Sequence, residues 1–258
     1  IDAVAAGEAS GVVSAGNTGA LLALAKILIK TLPGIDRPAM AAIAPSARGD
    51  VVMLDLGANV QCDARNLVEF AIMGDVFART VLGLPAPTIG LLNVGSEQLK
   101  GDERVRQAAE TLRCSHIGPQ FHGFVEGDDI AKGTTDVIVT DGFTGNVALK
   151  TGEGALRLVG DVLKQIFQSS LLGKAAYLLA RPGLDRMRTW LDPRRYNGAV
   201  MLGLNGVVVK SHGGTDAEGF AHAVDVAMDM VVHGFNGRIR EGLAQIEALR
   251  PPQFVAAV

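Results

Sequence analysis

The stretch TTDVIVTDGFTGNVALKTGEGALRLVGDVLKQIF, residues 134–167, opens on a short β-branched run, turns through Asp141-Gly-Phe-Thr-Gly-Asn146 and continues with helical spacing. Strand, glycine loop and helix in that order are the unit of an α/β protein. The same alternation recurs upstream in GVVSA, PAMAAIA, VVMLDLG and TIGLLNV, each of the last two and the first followed by a helical segment. We therefore expect an α/β fold with a mostly parallel sheet. Leu67, Phe70, Gly74, Phe77 and Val81 recur at steps of three and four, as do Leu156, Val159, Leu163 and Ile166, and later Phe220, Val224, Met228 and Val231. These stripes are expected to face the core. His222 and His233 fall on the last helix as surface or packing residues and receive no chemical role.

With 258 residues, 48% of them hydrophobic, the chain is long enough for one substantial core, and a single domain over 1–258 is expected. Net charge is −3, so no global positive field invites nucleic acid. The two cysteines, Cys62 and Cys114, form no CxxC pair, which argues against a disulfide framework or zinc site and for a reducing, cytoplasmic setting. No uncharged stretch reads as a membrane span. The chain opens on IDAVAAGEA, which resembles the tail of a helix already under way, so an upstream segment is expected.

Five strand ends finish in glycine beside a small amide, hydroxyl or acid. They are Ser14-Ala-Gly-Asn-Thr-Gly19, Asp55-Leu-Gly-Ala-Asn59, Asn93-Val-Gly-Ser-Glu97, Asp141-Gly-Phe-Thr-Gly-Asn146 and Lys210-Ser-His-Gly-Gly-Thr215. In a parallel sheet such loops share one edge, where open α/β folds bind ligands. The same residue types also make the ordinary turns and N-caps of any strand-to-helix link. In the first loop Gly16 and Gly19 permit close backbone approach, and Asn17 or Thr18 opens a helix whose free N–H groups attract anions. Ser14, Asp55, Asn59, Asn93, Glu97 and Lys100 complete the candidate phosphate-binding set.

Neither G-x-G-x-x-G nor G-x-x-x-x-G-K-[ST] occurs, and there is no G-x-S-x-G elbow or H-E-x-x-H. What remains suits orienting an anion and stabilising an oxyanion, which points to direct group transfer. Phosphate is expected between the Ser14–Gly19 and Asp141–Asn146 loops. Asn17, Asn59 and Asn146 are candidate donors, Lys150 a charge stabiliser, Asp141 an indirect orienting group and His212 the acid or base.

Several blocks carry a resemblance beyond these motifs: SAGNTGALLALA, RPAMAAI, VMLDLGANVQC, LLNVGSEQLKG, GFVEGDDIAKGTTDVIVTDGFTGNVALKTGEG and YNGAVMLGLNGVVVKSHGG. In this order they closely resemble the PlsX family of phosphate acyltransferases. The resemblance implies a three-layer α/β/α sandwich like that of isocitrate and isopropylmalate dehydrogenases, working as a homodimer without metal or nicotinamide. It implies transfer of a long-chain fatty acyl group from acyl carrier protein to inorganic phosphate. The acyl phosphate would feed a membrane glycerol-3-phosphate acyltransferase in phospholipid synthesis. Family members carry an upstream strand with a D-A-M-G-G-D-like segment that has no counterpart here, and this chain has Asp128 and Asn197 where many members have Arg and Gly.

Between Lys174 and Arg195 six cations stand against Asp185 and Asp192. Leu171, Leu172, Ala175, Leu178 and Leu179 form an apolar face before Arg181-Pro-Gly183, so 167–196 is expected as a basic helical hairpin turning near that Pro-Gly. Leu178, Leu179, Arg181, Arg186 and Arg188 suit an anionic membrane surface or an acidic carrier protein; burial in a dimer is the alternative. The rivals to the transferase reading are a short-chain acetyltransferase using coenzyme A, a non-catalytic membrane-attached scaffold and an oxidoreductase.

Overall fold

The computed structural model describes residues 1–115 and 120–247, so positions 248–258 of the expected domain lie outside the described residues. A short helix α1 (Asp2–Ala5) leads to β1 (Gly11–Ser14) and α2 (Thr18–Leu28). Next come β2 (Ala39–Ser46), β3 (Gly49–Leu54), α3 (Ala64–Val81), β4 (Thr88–Leu92), α4 (Glu103–Cys114), β5 (Gln120–Val125) and α5 (Gly127–Lys132). The chain continues through β6 (Val137–Val139), α6 (Gly142–Gln168), α7 (Leu171–Trp190) and a 3-10 turn (Pro193–Tyr196). It closes with β7 (Ala199–Leu202), β8 (Val207–Lys210), α8 (Ala217–Val232) and α9 (Phe235–Glu247).

Among the described residues the strands form one sheet in the order β1-β8-β7-β2-β3-β6-β4-β5. Pairs β1/β8, β3/β6, β6/β4 and β4/β5 are parallel, whereas β8/β7, β7/β2 and β2/β3 are antiparallel. The local reason is loop length. Ser46 and Gly49 are paired across a two-residue link, which only an antiparallel hairpin permits. β1 and β8 therefore run opposite to β3, β6, β4 and β5, and the expected single edge of strand ends becomes two.

Side chains alternate across the sheet. Val52, Leu54, Val137, Val139, Val200 and Val209 join the core beneath α3, α4, α8 and α9. Met201 and Val208 pack on the opposite face against Leu21 and Ala25 of α2. Val51, Met53 and Ile138 pack there against Ile130 of α5 and Ala148 and Leu149 of α6. The result is three layers, α/β/α.

The α3 stripe is buried as expected at Leu67, Phe70, Gly74 and Phe77, with Val81 half-buried. The α6 stripe is not: Leu156, Val159 and Ile166 are 46%, 54% and 56% exposed. Periodicity reveals a face but not its cover. Twenty-seven residues of α6 span about 40 Å, whereas the six residues of β3 span about 20 Å, so the helix outruns the sheet. On α8 the inner face is also not the expected one. Ala223, Ala227 and Met230 are buried while Phe220, Met228 and Val231 are exposed. Small residues are needed there because the backbone at Gly198 comes close to Ala223.

The basic hairpin differs from expectation as well. α7 runs unbroken through Pro182, and the turn is Ser169-Ser170, where the Ser170 side chain caps α7 by accepting from the Gly173 N–H. Proline removes one backbone hydrogen bond, tolerable in a helix exposed on most sides. The hairpin is thus α6 against α7, closed by an edge contact of Phe167 and Tyr177 with ring centroids 5.6 Å apart.

The return into the sheet is pinned by charge. Asp192 caps the 3-10 turn and pairs with Arg194 at 2.6 Å, and Arg194 also reaches Asp216 and Glu218 at the start of α8. The hydrogen bond from Arg194 holds the Asp192 carboxyl down to about 2. A depressed carboxyl contributes stability above its unfolded value, and that stability is lost as pH falls from about 4 towards 2. In Arg194→Met the urea midpoint is expected to fall most above pH 4, with its gap from the parent closing towards pH 2. A gap independent of pH would refute this.

Candidate functional site

Three of the five loops meet at the C-terminal edge of β3, β6 and β4, and Asp55 is their organiser. Its side chain is fully buried, and Oδ1 accepts from the backbone N–H of Met40 at 2.8 Å, Ala58 at 3.0 Å and Gly57 at 3.3 Å. Oδ2 accepts from the backbone and side-chain amides of Asn59 at 2.7 and 2.9 Å. Burial pushes the Asp55 carboxyl up, against the pull of these donors. The second Asn59 amide hydrogen goes to the Pro38 carbonyl at 2.7 Å. The expectation that Asp55 and Asn59 touch phosphate is corrected here: the carboxylate is sealed and both amide donors are spent inward.

The start of α6 sits directly on this loop. The Gly142 N–H donates to the Asn59 carbonyl at 2.7 Å. A Cβ on Gly145 would stand 2.0 Å from the Asp55 carbonyl oxygen, so only glycine allows the approach. Asp141 caps the helix, accepting from the Thr144 N–H at 2.8 Å. Its geometry is that of an orienting group. Asn146 and Lys150 follow one turn apart, both exposed, with Asn146 beside Gly57.

Next to this helix end lies a cavity of about 270 Å³ lined by Cys62, Asn93, Arg104, Thr140, Asp141 and Thr144, among others. Asn93 shapes its loop by donating to the carbonyls of Gly95 and Lys100, both at 3.1 Å. Burial pushes the Cys62 thiol up to about 12, which removes it as a nucleophile. Arg104 was missed by sequence reasoning. It donates to the Cys62 carbonyl at 3.0 Å and grips Asp102 through two nitrogens at 2.9 and 2.7 Å. The available signal was local: Gly101-Asp-Glu-Arg104 opens a helix just after a glycine loop. Lys100 pairs with Glu97, and Lys150 with Glu153, each at 2.8 Å and each exposed. Exposed pairs of this kind are weak and easily exchanged, so neither lysine is locked away from an arriving anion.

The other two loops meet each other on the opposite edge. The Ser211 N–H donates to the Ser14 carbonyl at 2.9 Å, and Ser14 Oγ accepts from Gly16. Asn17 caps α2 by accepting from Ala20, with Thr18 and Gly19 in the first turn. His212 is exposed; its Nδ1 accepts from the Gly214 N–H at 3.1 Å, leaving the neutral ring's proton on Nε2. Asn197 is buried, donating to Ser211 Oγ at 2.8 Å and the Gly219 carbonyl at 2.6 Å while accepting from the His212 N–H. Lys210, half-buried beside Ser14, has its ammonium pulled down by burial and has no ion pair among the described residues.

Five inter-strand steps separate β1 from β6, about 24 Å at the usual strand spacing, and the two strands point in opposite directions. One phosphate within one chain therefore cannot be held by both the Ser14–Gly19 and Asp141–Asn146 loops. His212 is likewise about four strand spacings, about 19 Å, from the Asp141 loop and does not join Lys150 and Asn146. The contact candidates on α7 are exposed, Leu178 at 68% and Leu179 at 86%, with Arg181 and Arg188 each 3.5 Å from Asp185. Arg186 is also exposed. Among the described residues no helix is long and apolar enough to cross a membrane.

Fold and site together define an α/β/α protein whose helix starts and polar loops converge at strand ends, the arrangement of small-anion sites in this class. Solved structures share the fold. A phosphotransacetylase from Streptococcus pyogenes superposes with a TM-score of 0.64 at 19% identity over 90% of this chain and 65% of its own. The EutD phosphotransacetylase of Staphylococcus aureus gives 0.61 at 18% identity, over 89% and 65%. In sequence, the family described as fatty acid synthesis protein matches residues 1–238. A phosphate acyltransferase of Acidiphilium cryptum is 78% identical over 95% of this chain, and one of Gluconacetobacter diazotrophicus 75% over 96%. The chain belongs to this fatty acid synthesis protein family, the PlsX family. It spans 64% of the length of the first of these relatives and 67% of the second.

Proposed function

We propose that the protein is a phosphate acyltransferase that moves a long-chain fatty acyl group from acyl carrier protein to inorganic phosphate. The observation that carries this reading is 78% identity, over 95% of the chain, to a protein of that name. A phosphate oxygen attacks the thioester carbonyl, the C–O bond forms and the C–S bond breaks. The electron pair leaves on sulfur, and the proton of hydrogen phosphate ends on the thiol. Phosphate is already a competent anion near neutral pH and a thiol of pKa about 8.5 is a fair leaving group, so positioning matters more than a strong base.

The cavity beside the start of α6, lined by Arg104, Asn93 and Thr144, is the site we assign to phosphate; Asn146 and Lys150, exposed further along α6 and outside that lining, are the proposed oxyanion donor and charge stabiliser. The Ser14–Gly19 and His212 loops belong to the opposite edge and serve the same reaction only through a second copy or through the acyl carrier. The acyl phosphate product would pass to a membrane glycerol-3-phosphate acyltransferase, in keeping with a cytoplasmic homodimer that touches the membrane peripherally. The uncovered α6 stripe supports the dimer, and exposed Leu178 and Leu179 support the membrane contact. Leu178→Asp with Leu179→Asp should lower liposome binding.

The test is phosphate-dependent thiol release from palmitoyl acyl carrier protein, with hydroxylamine trapping of the acyl phosphate. Inactivity both of this chain and of the chain extended to its relatives' length would overturn the reading; preference for acetyl coenzyme A would favour the short-chain alternative. Arg104→Met should raise the phosphate KM about ten-fold or more, the scale of one charge-assisted hydrogen bond. An unchanged KM would move the phosphate site elsewhere.

A further inference from the structure

The charged side chains that line the cavity beside the start of α6 are Asp102, Arg104 and Asp141. The first two neutralise each other. Asp102 receives hydrogens from Nε and Nη2 of Arg104 at 2.9 and 2.7 Å, so both of its oxygens face the guanidinium. Nη1 donates to the Cys62 carbonyl at 3.0 Å, and the remaining N–H groups of Arg104 are left for a ligand.

Asp141 has no such counter-ion. Its Oδ1 accepts from the Thr144 N–H at 2.8 Å, whereas Oδ2 has no hydrogen-bond or ion-pair partner among the described residues. The cavity wall senses this charge: burial first, then Asp55 and Asp141, push the Cys62 thiol up to about 12. Capping α6 does not require a charge, because Asn and Ser cap helices as well as Asp does. The wall thus presents one unneutralised carboxylate to whatever enters, and it repels an anion that can only accept hydrogen bonds.

From this arrangement we infer that the cavity admits inorganic phosphate and rejects sulfate, Asp141 Oδ2 accepting the phosphate O–H. The inference rests on the assignment of this cavity to phosphate and names its selectivity. Near neutral pH phosphate keeps a proton on at least one oxygen, whereas sulfate, of the same shape, keeps none. The hydroxyl turns a repulsion into a charge-assisted hydrogen bond, and the other oxygens accept from Arg104 and from the Thr144 hydroxyl. A site that pairs with a ligand hydroxyl discriminates against the analogue without one, because its own polar group is then left unpaired. Asp141 is only half-buried, so water moderates the effect to about 10–100-fold, the scale of one hydrogen bond to a charged group.

The test is titration of the isotope-labelled chain with phosphate, arsenate and sulfate at neutral pH and constant ionic strength, following the Thr144 amide by NMR. We expect phosphate and arsenate, which both keep a proton, to bind alike, and sulfate to bind more weakly by the factor above. Asp141→Asn keeps the helix cap and can offer an amide hydrogen to sulfate, so the phosphate-to-sulfate ratio should fall towards parity. Asp141→Ser, which also caps, should lower the ratio in the same direction while the circular dichroism stays that of the parent. Arg104→Met should weaken both anions and leave their ratio as it was. Equal binding of phosphate and sulfate by the parent, or a ratio unchanged in both Asp141 variants, would overturn the inference while leaving the cavity as the phosphate site. Phosphate that leaves the Thr144 amide unmoved would overturn that assignment, and the inference with it.

Discussion

Asp55→Ala should cost about 3–5 kcal/mol of folding stability and remove phosphate-dependent transfer altogether. The carboxylate accepts from the backbone N–H groups of Met40, Gly57, Ala58 and Asn59 and from the Asn59 side chain. A buried donor left without an acceptor costs about 1–3 kcal/mol. Rearrangement and entering water relieve part of the sum, which keeps the expected loss below the total for all of those groups. The deletion also frees the Asn59 segment whose carbonyl holds the first N–H of α6. Asp55→Asn keeps one acceptor oxygen but turns an amide towards other donors, so about half the loss is expected. Urea unfolding of the three proteins checks this. An alanine variant within about 0.5 kcal/mol of the parent, the scale of an ordinary surface substitution, would show that Asp55 does not organise the loop.

Gly145→Ala is the second large effect, and it has a control on the same helix. The new methyl would stand 2.0 Å from the backbone oxygen of Asp55, with no flexible side chain to yield, so α6 must lift from its seat. Overpacking of this kind costs about 1–3 kcal/mol. A displacement near 1 Å at a catalytic centre costs about a hundred-fold in rate. Gly152→Ala lies in the same helix, where the added Cβ meets nothing within 4 Å. There the gain in helix propensity should raise stability by up to about 1 kcal/mol. Opposite signs at the two positions, with transfer lost only at Gly145, are the expected result. Equal effects would mean that helix propensity, not contact with the Asp55 loop, governs both.

Much of the fold was legible before any coordinates. Val137–Val139 followed by Asp141 and a glycine loop announced a strand and a capped helix, and Asp141 does cap α6. Asn17 capping α2 and the inner face of α3 were equally plain. Such features depend on neighbours within about four residues, where spacing and capping chemistry act directly. Arg104 was missed although Gly101-Asp-Glu-Arg104 opens a helix just after a glycine loop, and Lys210, read only as the start of its loop, gave no sequence sign that it would be half-buried beside Ser14.

What the sequence determined by itself was therefore most of the strand-to-helix units and their order, the family and the residue types gathered at strand ends, while β5, β7 and the position of the hairpin turn were not read from it. Only the tertiary structure decided which of those ends share an edge. Two short links, at Ala47-Arg48 and between β7 and β8, reverse the chain and send β1 and β8 against the direction of the other block. Strand direction is set by pairing between segments far apart in sequence, and a strand reads the same whichever way its neighbours run. For the same reason the α6 stripe looked like core: its spacing records an apolar face, while the length of the sheet beneath it determines where that face is left uncovered.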